Sequence, residues 1–499
     1  MGRSRRRFGL AISVVVAACG MGTIDGSGSQ CPEGPSQPSQ PSMDCSSQIT
    51  ALTLSATADT IEIGRGAFLT GQITVTNPPA SVYCNYSTRL SSSDSTIAGL
   101  SSAGHGWGGS PAGTSVSLGA VYGRAPGTAT ITHTAGTGTA TISITVIPPR
   151  DPFVAVSTGG SDVCTLGADG KVFCGTPGIS TVPLAVGGVP TLASVDAGPF
   201  RECGISLGKQ LYCWAPGSAF GPTSAPTQVY LPADAIMVDA AGSNHACALT
   251  AAHVAYCWGT NGSGQLGAPG DYSDLPRAVA GYLWFQKLTG GYAHTCALGD
   301  DGSLWCWGSN AAGQLGLSSV AGGCSQNANC QLTPSRVRLA ADSVFEDVAA
   351  GSFHTCALTA AGEGYCWGDN SSGALGTVDT VSGSTPRKVA GNHTFVALSA
   401  GTSYTCGLTA AGEAYCWGAN DSGQLGSEPA SNACGSPYGP TPACETVPVR
   451  VSGGHTFSSL TAGRGMTCGM TSSGAWCWGL YWGAHQTFSS VPVRVPGQP

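Results

Sequence analysis

The residues best placed to do chemistry in this 499-residue chain are cysteines, and they come in pairs. Cys356-Ala-Leu-Thr359 is followed about ten residues on by Tyr365-Cys-Trp-Gly368. The same spacing joins Cys247 to Cys257, Cys296 to Cys306 and Cys406 to Cys416, and in weaker copies Cys164 to Cys174, Cys203 to Cys213 and Cys468 to Cys477. Between the two members lies a Gly-bearing tip such as Ala360-Ala361-Gly362 or Asp300-Asp301-Gly302. Short apolar and aromatic runs around such a tip read as a β-hairpin. With Ala361 at the centre of the tip, Cys356 and Cys366 fall opposite each other, at the roughly 4.5–5.5 Å Cα separation that a disulfide spans. A disulfide is expected across all seven hairpins. Paired buried thiols or a zinc site are the alternatives; zinc pairs are usually closer, and no second pair lies at a fixed short distance. Cys324 with Cys330, and Cys434 with Cys444, are each expected to staple a longer loop.

Two positions before the first cysteine of each hairpin stand Asp162, Arg201, His245, His294, His354, Tyr404 and Met466. Three histidines at equivalent places could converge on a metal ion. The expectation instead is a hydrogen bond inside each histidine's own repeat, so no metal or cofactor site is assigned. Hydrolysis or elimination would need paired carboxylates or a nucleophile with a base. Acidic residues are sparse, and none falls in a Gly-x-Ser-x-Gly, His-Glu-x-x-His or Asp-x-Asp-x-Asp-Gly pattern, so no catalytic residue is assigned.

The hairpins need neighbours. A strand precedes each one (Phe285-Gln-Lys-Leu288, Phe345-Glu-Asp-Val348), and another follows after a loop (Pro334-Ser-Arg-Val337, Pro386-Arg-Lys-Val389). Four strands repeated seven times is the pattern of a β-propeller. Trp258, Trp307, Trp367, Trp417 and Trp478 are suited to fill the gaps between blades. A linear solenoid is the alternative, but seven units without obvious caps favour a closed ring.

Gly351-Ser-Phe-His-Thr-Cys-Ala-Leu358 with Trp367-Gly-Asp-Asn-Ser-Ser-Gly-Ala-Leu-Gly376 resembles the repeat of the regulator of chromosome condensation family. Trp258–Gly267, Trp307–Gly316 and Trp417–Gly426 carry close copies. The resemblance covers residues 153–499 and implies a seven-bladed propeller. The first two blades and the last depart from it: Cys174 is followed by Gly175, Trp214 by Ala215, and Gly479 by Leu-Tyr-Trp. The eukaryotic namesake exchanges nucleotide on a small nuclear GTPase. No basic tail or exchange wedge is present here, so no nuclear GTPase partner is expected. The family is also similar to secreted bacterial propellers that act purely by binding protein, including an inhibitor of β-lactamases.

Charged residues make up only 9% of the chain and Gly accounts for 75 positions, which suits an all-β, turn-rich protein. A net charge of −7 without a basic stripe gives nucleic-acid binding no electrostatic support. The many paired cysteines point to an oxidising compartment. Met1–Arg7 is a positive leader and Phe8–Ala18 a short apolar run, too short to span a bilayer permanently. Val16-Ala-Ala-Cys19 resembles the lipobox of bacterial lipoproteins, which implies a signal peptide 1–18 and lipidation of Cys19 as a membrane anchor. An ordinary signal peptide, leading to secretion, is the alternative. Ser4–Phe8 also resembles part of a twin-arginine signal, and Gly20 is compatible with outer-membrane sorting.

Residues 19–48, rich in Ser, Gly, Pro and Gln, read as a tether. Residues 49–147 show short alternating strands and, through Ser91–Ala98 and Gly123–Ile131, resemble the bacterial Ig-like domains of group 2, which implies a β-sandwich used as a spacer. Cys84 is expected to pair with Cys45 or Cys31, leaving one over. Residues 148–152 form a Pro-rich linker. The loops Leu317–Thr333 and Ser427–Glu445 leave equivalent points of their repeats and should share one face. Long ordered loops on a rigid scaffold are where binding concentrates. The chain is therefore expected to be a cell-envelope binding scaffold for a protein or glycan. A lyase or hydrolase with its site at the channel mouth is the alternative.

Overall fold

The computed structural model describes residues 42–498 apart from short stretches, the longest being 76–82, 101–113, 176–182, 435–442 and 481–487. The signal peptide, Cys19, Cys31, Cys45 and most of the linker lie outside the described residues. So does the side chain of Cys84, although the short strand Tyr83–Asn85 that carries it is described. Among the described residues every regular element is a strand.

Each hairpin tip needs a left-handed residue. Gly170, Gly302, Gly362 and Gly412 supply it with φ of 73–78°, as glycine does without steric cost. In the second and third repeats Lys209 and His253 occupy the same corner at φ 61° and 62°. The tips set the register, and each cysteine faces its partner across the two middle strands, as in Cys356 opposite Cys366 and Cys247 opposite Cys257.

Seven four-stranded antiparallel units follow, numbered here as blades 1 to 7. Their innermost strands are Phe153–Thr158, Leu192–Ala197, Ala235–Asp239, Phe285–Gly290, Phe345–Ala350, Phe395–Ala400 and Ser459–Ala462. Among the described residues no blade has a core of its own. Each apolar cluster of the propeller is shared by two successive blades: Leu249, Leu266 and Val279 of blade 3 pack on Phe285, Leu288 and Trp307 of blade 4, and the pattern repeats around the ring. Blade 7 meets blade 1 in the same way, through Met466, Met470 and Val495 against Phe153, Val163 and Phe173. Blade 1 has Gly175 where later blades have tryptophan, and the Phe153–Phe173 ring pair, 6.1 Å apart, helps fill that gap.

The ring closes side to side. All four strands of blade 7 come from residues 459–494 and those of blade 1 from 153–185, with no exchange of terminal strands. The outer strand of blade 1 pairs Leu184 with Gly66, so its sheet runs on into the N-terminal region. There, Thr60–Glu62, Gly138–Ile147, Gly127–Ala135 and Thr88–Ser92 form one sheet. Ile49–Ala56, Gly66–Val75, Thr114–Gly123 and Ala98–Leu100 belong to the other. Ile61, Leu90, Ile131 and Ile144 of the first share a core with Leu69, Ala98 and Val121 of the second.

Candidate binding face and channel mouth

The inner strands are tied to one another around the ring. In six of the seven blades the residue at one equivalent place presents an oxygen to the next blade. Ser157 Oγ accepts from Ala197 N–H at 3.0 Å, Asp196 Oδ2 from Ala240 N–H at 2.7 Å, and Asp239 Oδ1 from Gly290 N–H at 3.1 Å. Thr289 Oγ1 accepts from Ala350 N–H at 3.0 Å and Ser399 Oγ from Ala462 N–H at 2.9 Å. Thr461 Oγ1 accepts from Thr158 N–H at 3.3 Å and closes the circle. Blade 5 has Ala349 at this place and cannot join in. Asp347, two residues earlier, takes over: its Oδ2 accepts from Leu398 N–H of blade 6 at 2.8 Å, and its Oδ1 accepts from Lys287 of blade 4.

Two residues beyond that oxygen most blades place a glycine, because the neighbouring backbone occupies the space a side chain would need. A Cβ at Gly291 would come within 2.4 Å of Gly351 O, one at Gly351 within 2.5 Å of Gly401 O, and one at Gly463 within 2.2 Å of Gly159 O. The next residues then bond rim to rim: Tyr292 N–H to Ser352 O, Ser352 N–H to Thr402 O, Thr402 N–H to Gly463 O and Arg464 N–H to Gly159 O, at 2.9–3.3 Å. The result is a rigid rim around a cavity of about 350 Å³. Phe200, Tyr292, Phe353, Ser352, Thr402 and Arg464 supply its larger side chains. Phe200, Tyr292 and Phe353 are 55%, 51% and 43% exposed, and the last two stack at 5.3 Å.

The loops expected to share one face do so, and they share it with this mouth. Strands 1 and 3 of an antiparallel blade run the same way, so the loops after them leave from the same edge. Cys324–Cys330 and Cys434–Cys444 bridge within those loops. The first loop leans back on blade 3, with Gln326 N–H donating to Gly262 O at 2.8 Å. The seven hairpin bridges, Cys164–Cys174, Cys203–Cys213, Cys247–Cys257, Cys296–Cys306, Cys356–Cys366, Cys406–Cys416 and Cys468–Cys477, lie inside the blades with Cα separations of 4.0–4.1 Å.

The histidines behave differently from the expectation. None bonds within its own blade. His245, His294 and His354 each reach the threonine of the following blade, Thr295, Thr355 and Thr405, at 3.0, 3.0 and 2.9 Å. Their side chains point across the blade interface, and that interface offers the hydroxyl. Each threonine in turn donates to the carbonyl of residue 265, 314 or 374, which also accepts from Trp307, Trp367 or Trp417 Nε1. Tyr404 does the same work in blade 6, donating to Met466 O at 2.6 Å. Burial holds the three imidazoles neutral, lowering them to about 4, 3 and 4; charge from Arg201 adds to this at His245, and the two flanking histidines add at His294. They form separate bridges and do not converge: among the described residues the one cluster with metal-ligand spacing is Cys164, Cys174 and Glu202, and its cysteines are bonded to each other.

At the blade 1 to blade 2 step the histidine–threonine pair is replaced by Asp162 and Glu202. Burial, then the Asp162 charge, push Glu202 up to about 8, against the bond from Trp214 Nε1 that favours its ionised form. Its Oε1 has no partner.

The inner-strand oxygens and the glycine rim were not anticipated from the sequence. The column Ser157, Asp196, Asp239, Thr289, Ser399, Thr461 was the available signal, since a small oxygen-bearing residue at one place of an otherwise apolar strand calls for a partner.

A closed propeller with a loop-built face and a rigid, aromatic-lined mouth defines the class of the molecule. The regulator of chromosome condensation (RCC1) repeat matches at residues 301–358, 361–408 and 411–470, and a second description of the same repeat at 240–265, 285–314, 345–374 and 395–424. The chain thus carries RCC1 repeats over blades 3 to 7. The matched unit 301–358 joins the outer half of one blade to the inner half of the next and holds both ends of the Thr355–Gln314 bond between them. Among solved structures the chain is similar to Prp20p of Saccharomyces cerevisiae, a protein described for its binding to Gsp1p and histones. That match has 19% identity and a TM-score of 0.52, covering 62% of this chain and 80% of the yeast one. It is also similar to human WBSCR16, with 15% identity and a TM-score of 0.55, covering 78% of this chain and all of that one. These likenesses concern the fold. A propeller of RCC1 repeats suggests a protein-interaction scaffold.

Proposed function

We propose that this chain is a cell-envelope lipoprotein whose propeller binds a protein through the face that carries the channel mouth and the two stapled loops. The observation that carries this reading is the mouth itself. A rim locked by backbone hydrogen bonds presents three exposed aromatic rings, and preorganised aromatic surface is what binding sites favour. Its described lining holds hydroxyls and one guanidinium but no carboxylate, imidazole or thiol, which leaves a lyase or hydrolase without an acid–base pair there. Binding of the kind described for the yeast relative is not carried over, because a likeness at 19% identity concerns the fold and fold does not imply function.

In this proposal Cys19 carries the lipid, residues 20–48 are the tether, and the strands of residues 49–147 are an Ig-like spacer of the bacterial group 2 type that holds the propeller away from the membrane. The anchor is tested by mass spectrometry of the N-terminal peptide: a diacylated Cys19 supports it, and an unmodified or missing Cys19 refutes it. The scaffold role is tested by capture from envelope extract with the oxidised chain, intact and with loops 317–333 and 427–445 trimmed. A protein retained by the first and lost by the second supports the face; retention unchanged by trimming moves the site elsewhere.

A further inference from the structure

Resting on that reading, we propose that the channel mouth is an anchor site for an acidic protein segment, taking a carboxylate on Arg464 and a bulky apolar side chain among Phe200, Tyr292 and Phe353.

The mouth has two unlike arcs. Blades 2, 4 and 5 contribute Phe200, Tyr292 and Phe353; blades 6 and 7 contribute Thr402 and Arg464. Arg464 is exposed, is the one charged residue in the described lining, and has no side-chain hydrogen bond or ion pair among the described residues. A guanidinium presents donors in a fixed fork and favours carboxylates. On the same face Asp379 is engaged by Arg387, and Asp369 by Ser371 and Ser382. The cation is therefore free to meet an incoming anion.

The other half of the ligand follows from the aromatic arc. Two stacked rings with a third across the mouth give a concave apolar surface, and about 350 Å³ accommodates one large side chain. A sugar would need several convergent donors and acceptors. The rim N–H groups of Tyr292, Ser352, Thr402 and Arg464 are already bonded to neighbouring carbonyls, Thr158 Oγ1 is bonded to Asp162 O, and the other polar side-chain groups of the described lining are the hydroxyls of Ser352, Thr402 and Tyr292 with the Arg464 guanidinium. The balance favours an apolar side chain beside a carboxylate, the chemistry of a peptide.

The test uses the full oxidised chain and acetylated, amidated Gly-Glu-Trp-Gly-Gly, with its Gln and Ala counterparts at the second and third positions and methyl glucuronide as a sugar probe, followed by ligand NMR relaxation. Binding of the Glu-Trp peptide should weaken about 10-fold or more on replacing either peptide residue, and equally with Arg464→Gln or Phe353→Ala. Tyr282→Ala, 94% exposed and outside the mouth lining, should change nothing. Unchanged thermal unfolding of Arg464→Gln excludes loss of fold as the cause. No peptide binding, binding indifferent to Arg464, or binding of the glucuronide in preference would each overturn the proposal. If loop-dependent protein capture survives such a result, the scaffold reading stands without it; if capture fails too, both fall.

Discussion

Nε2 of His294 in blade 4 lies 3.0 Å from the hydroxyl of Thr355 in blade 5. That hydroxyl donates its own proton to Gln314 O, 2.8 Å away, so toward the imidazole it can only accept. The bond fixes the Nε2–H tautomer and leaves Nδ1 buried without a partner. His245 with Thr295 repeats the arrangement, unpartnered Nδ1 included, and His354 with Thr405 repeats its two hydrogen bonds. Three blade interfaces are thus closed by a neutral imidazole, which has consequences for acid stability.

Each of these histidines titrates lower in the folded chain than in the unfolded one, where the value is near 6.5. The unfolded state binds the extra proton first, so their contribution is complete above about pH 6.5 and is lost as pH falls toward 4. The urea midpoint, with disulfides intact, should drop steadily across that window. His294→Gln, which keeps an N–H for Thr355, should flatten the drop by about 2 kcal/mol at pH 4.5. Parallel curves for the two proteins would contradict this.

Glu202 works with the opposite sign. Its folded value near 8 lies above the unfolded 4.5, so the neutral acid favours folding below pH 4.5 and that benefit disappears as pH rises to 8. Glu202→Gln keeps an acceptor for Trp214 and adds a donor toward Asp162 without a charge. It should stabilise the chain at pH 8 by about 1–3 kcal/mol and leave it unchanged at pH 4, read as the shift in urea midpoint. A destabilised variant at pH 8 would show that the ionised carboxylate is what the blade 1–2 interface uses.

What could be read from the sequence was whatever repeats locally. Cys356 faces Cys366 because ten residues and a Gly362 tip leave one register, and seven hairpins with flanking strands leave one architecture. The partners of His294 and Thr289 were not legible, because they lie 61 residues away in the next blade and no local pattern fixes which face of a strand meets which neighbour. Placing the histidine bonds inside their own blades failed for that reason. Phe200, Tyr292 and Phe353 sit at the turn between strands 1 and 2, where nothing in their spacing signals that a closed ring will bring them to one opening.

The inner ring of hydrogen bonds is uneven, and the unevenness can be measured. Ser399→Ala removes one acceptor, leaving Ala462 N–H to be met by water at a partly open site, and should cost about 1 kcal/mol. Asp347→Ala strips the partner from the buried N–H of Leu398 and from Lys287 together, because Ala349 offers no substitute. It should cost about 2–3 kcal/mol or more, with Asp347→Asn recovering part by keeping an acceptor. Equal losses for Ser399→Ala and Asp347→Ala would mean that the ring is not bridged by Asp347 at blade 5.

The glycine rim makes the sharpest contrast. At Gly351 an added methyl would lie 2.1 Å from His354 Cε1 and 2.5 Å from Gly401 O, and the carbonyl belongs to backbone that is itself bonded to the rim. Neither can withdraw without opening the blade 5–6 interface, so Gly351→Ala should cost more than about 3 kcal/mol and should expose Trp417, quenching or red-shifting its fluorescence. Gly383, on the outer strand of the same blade, has nothing within 4 Å of the same methyl. Gly383→Ala should therefore lie within about 0.5 kcal/mol of the parent. Both substitutions add one carbon to one blade, so a difference in urea midpoint between them isolates the close approach of neighbouring backbones at the channel mouth. Equal stability would mean that the rim relaxes around a side chain, and that the mouth is softer than its hydrogen bonds require.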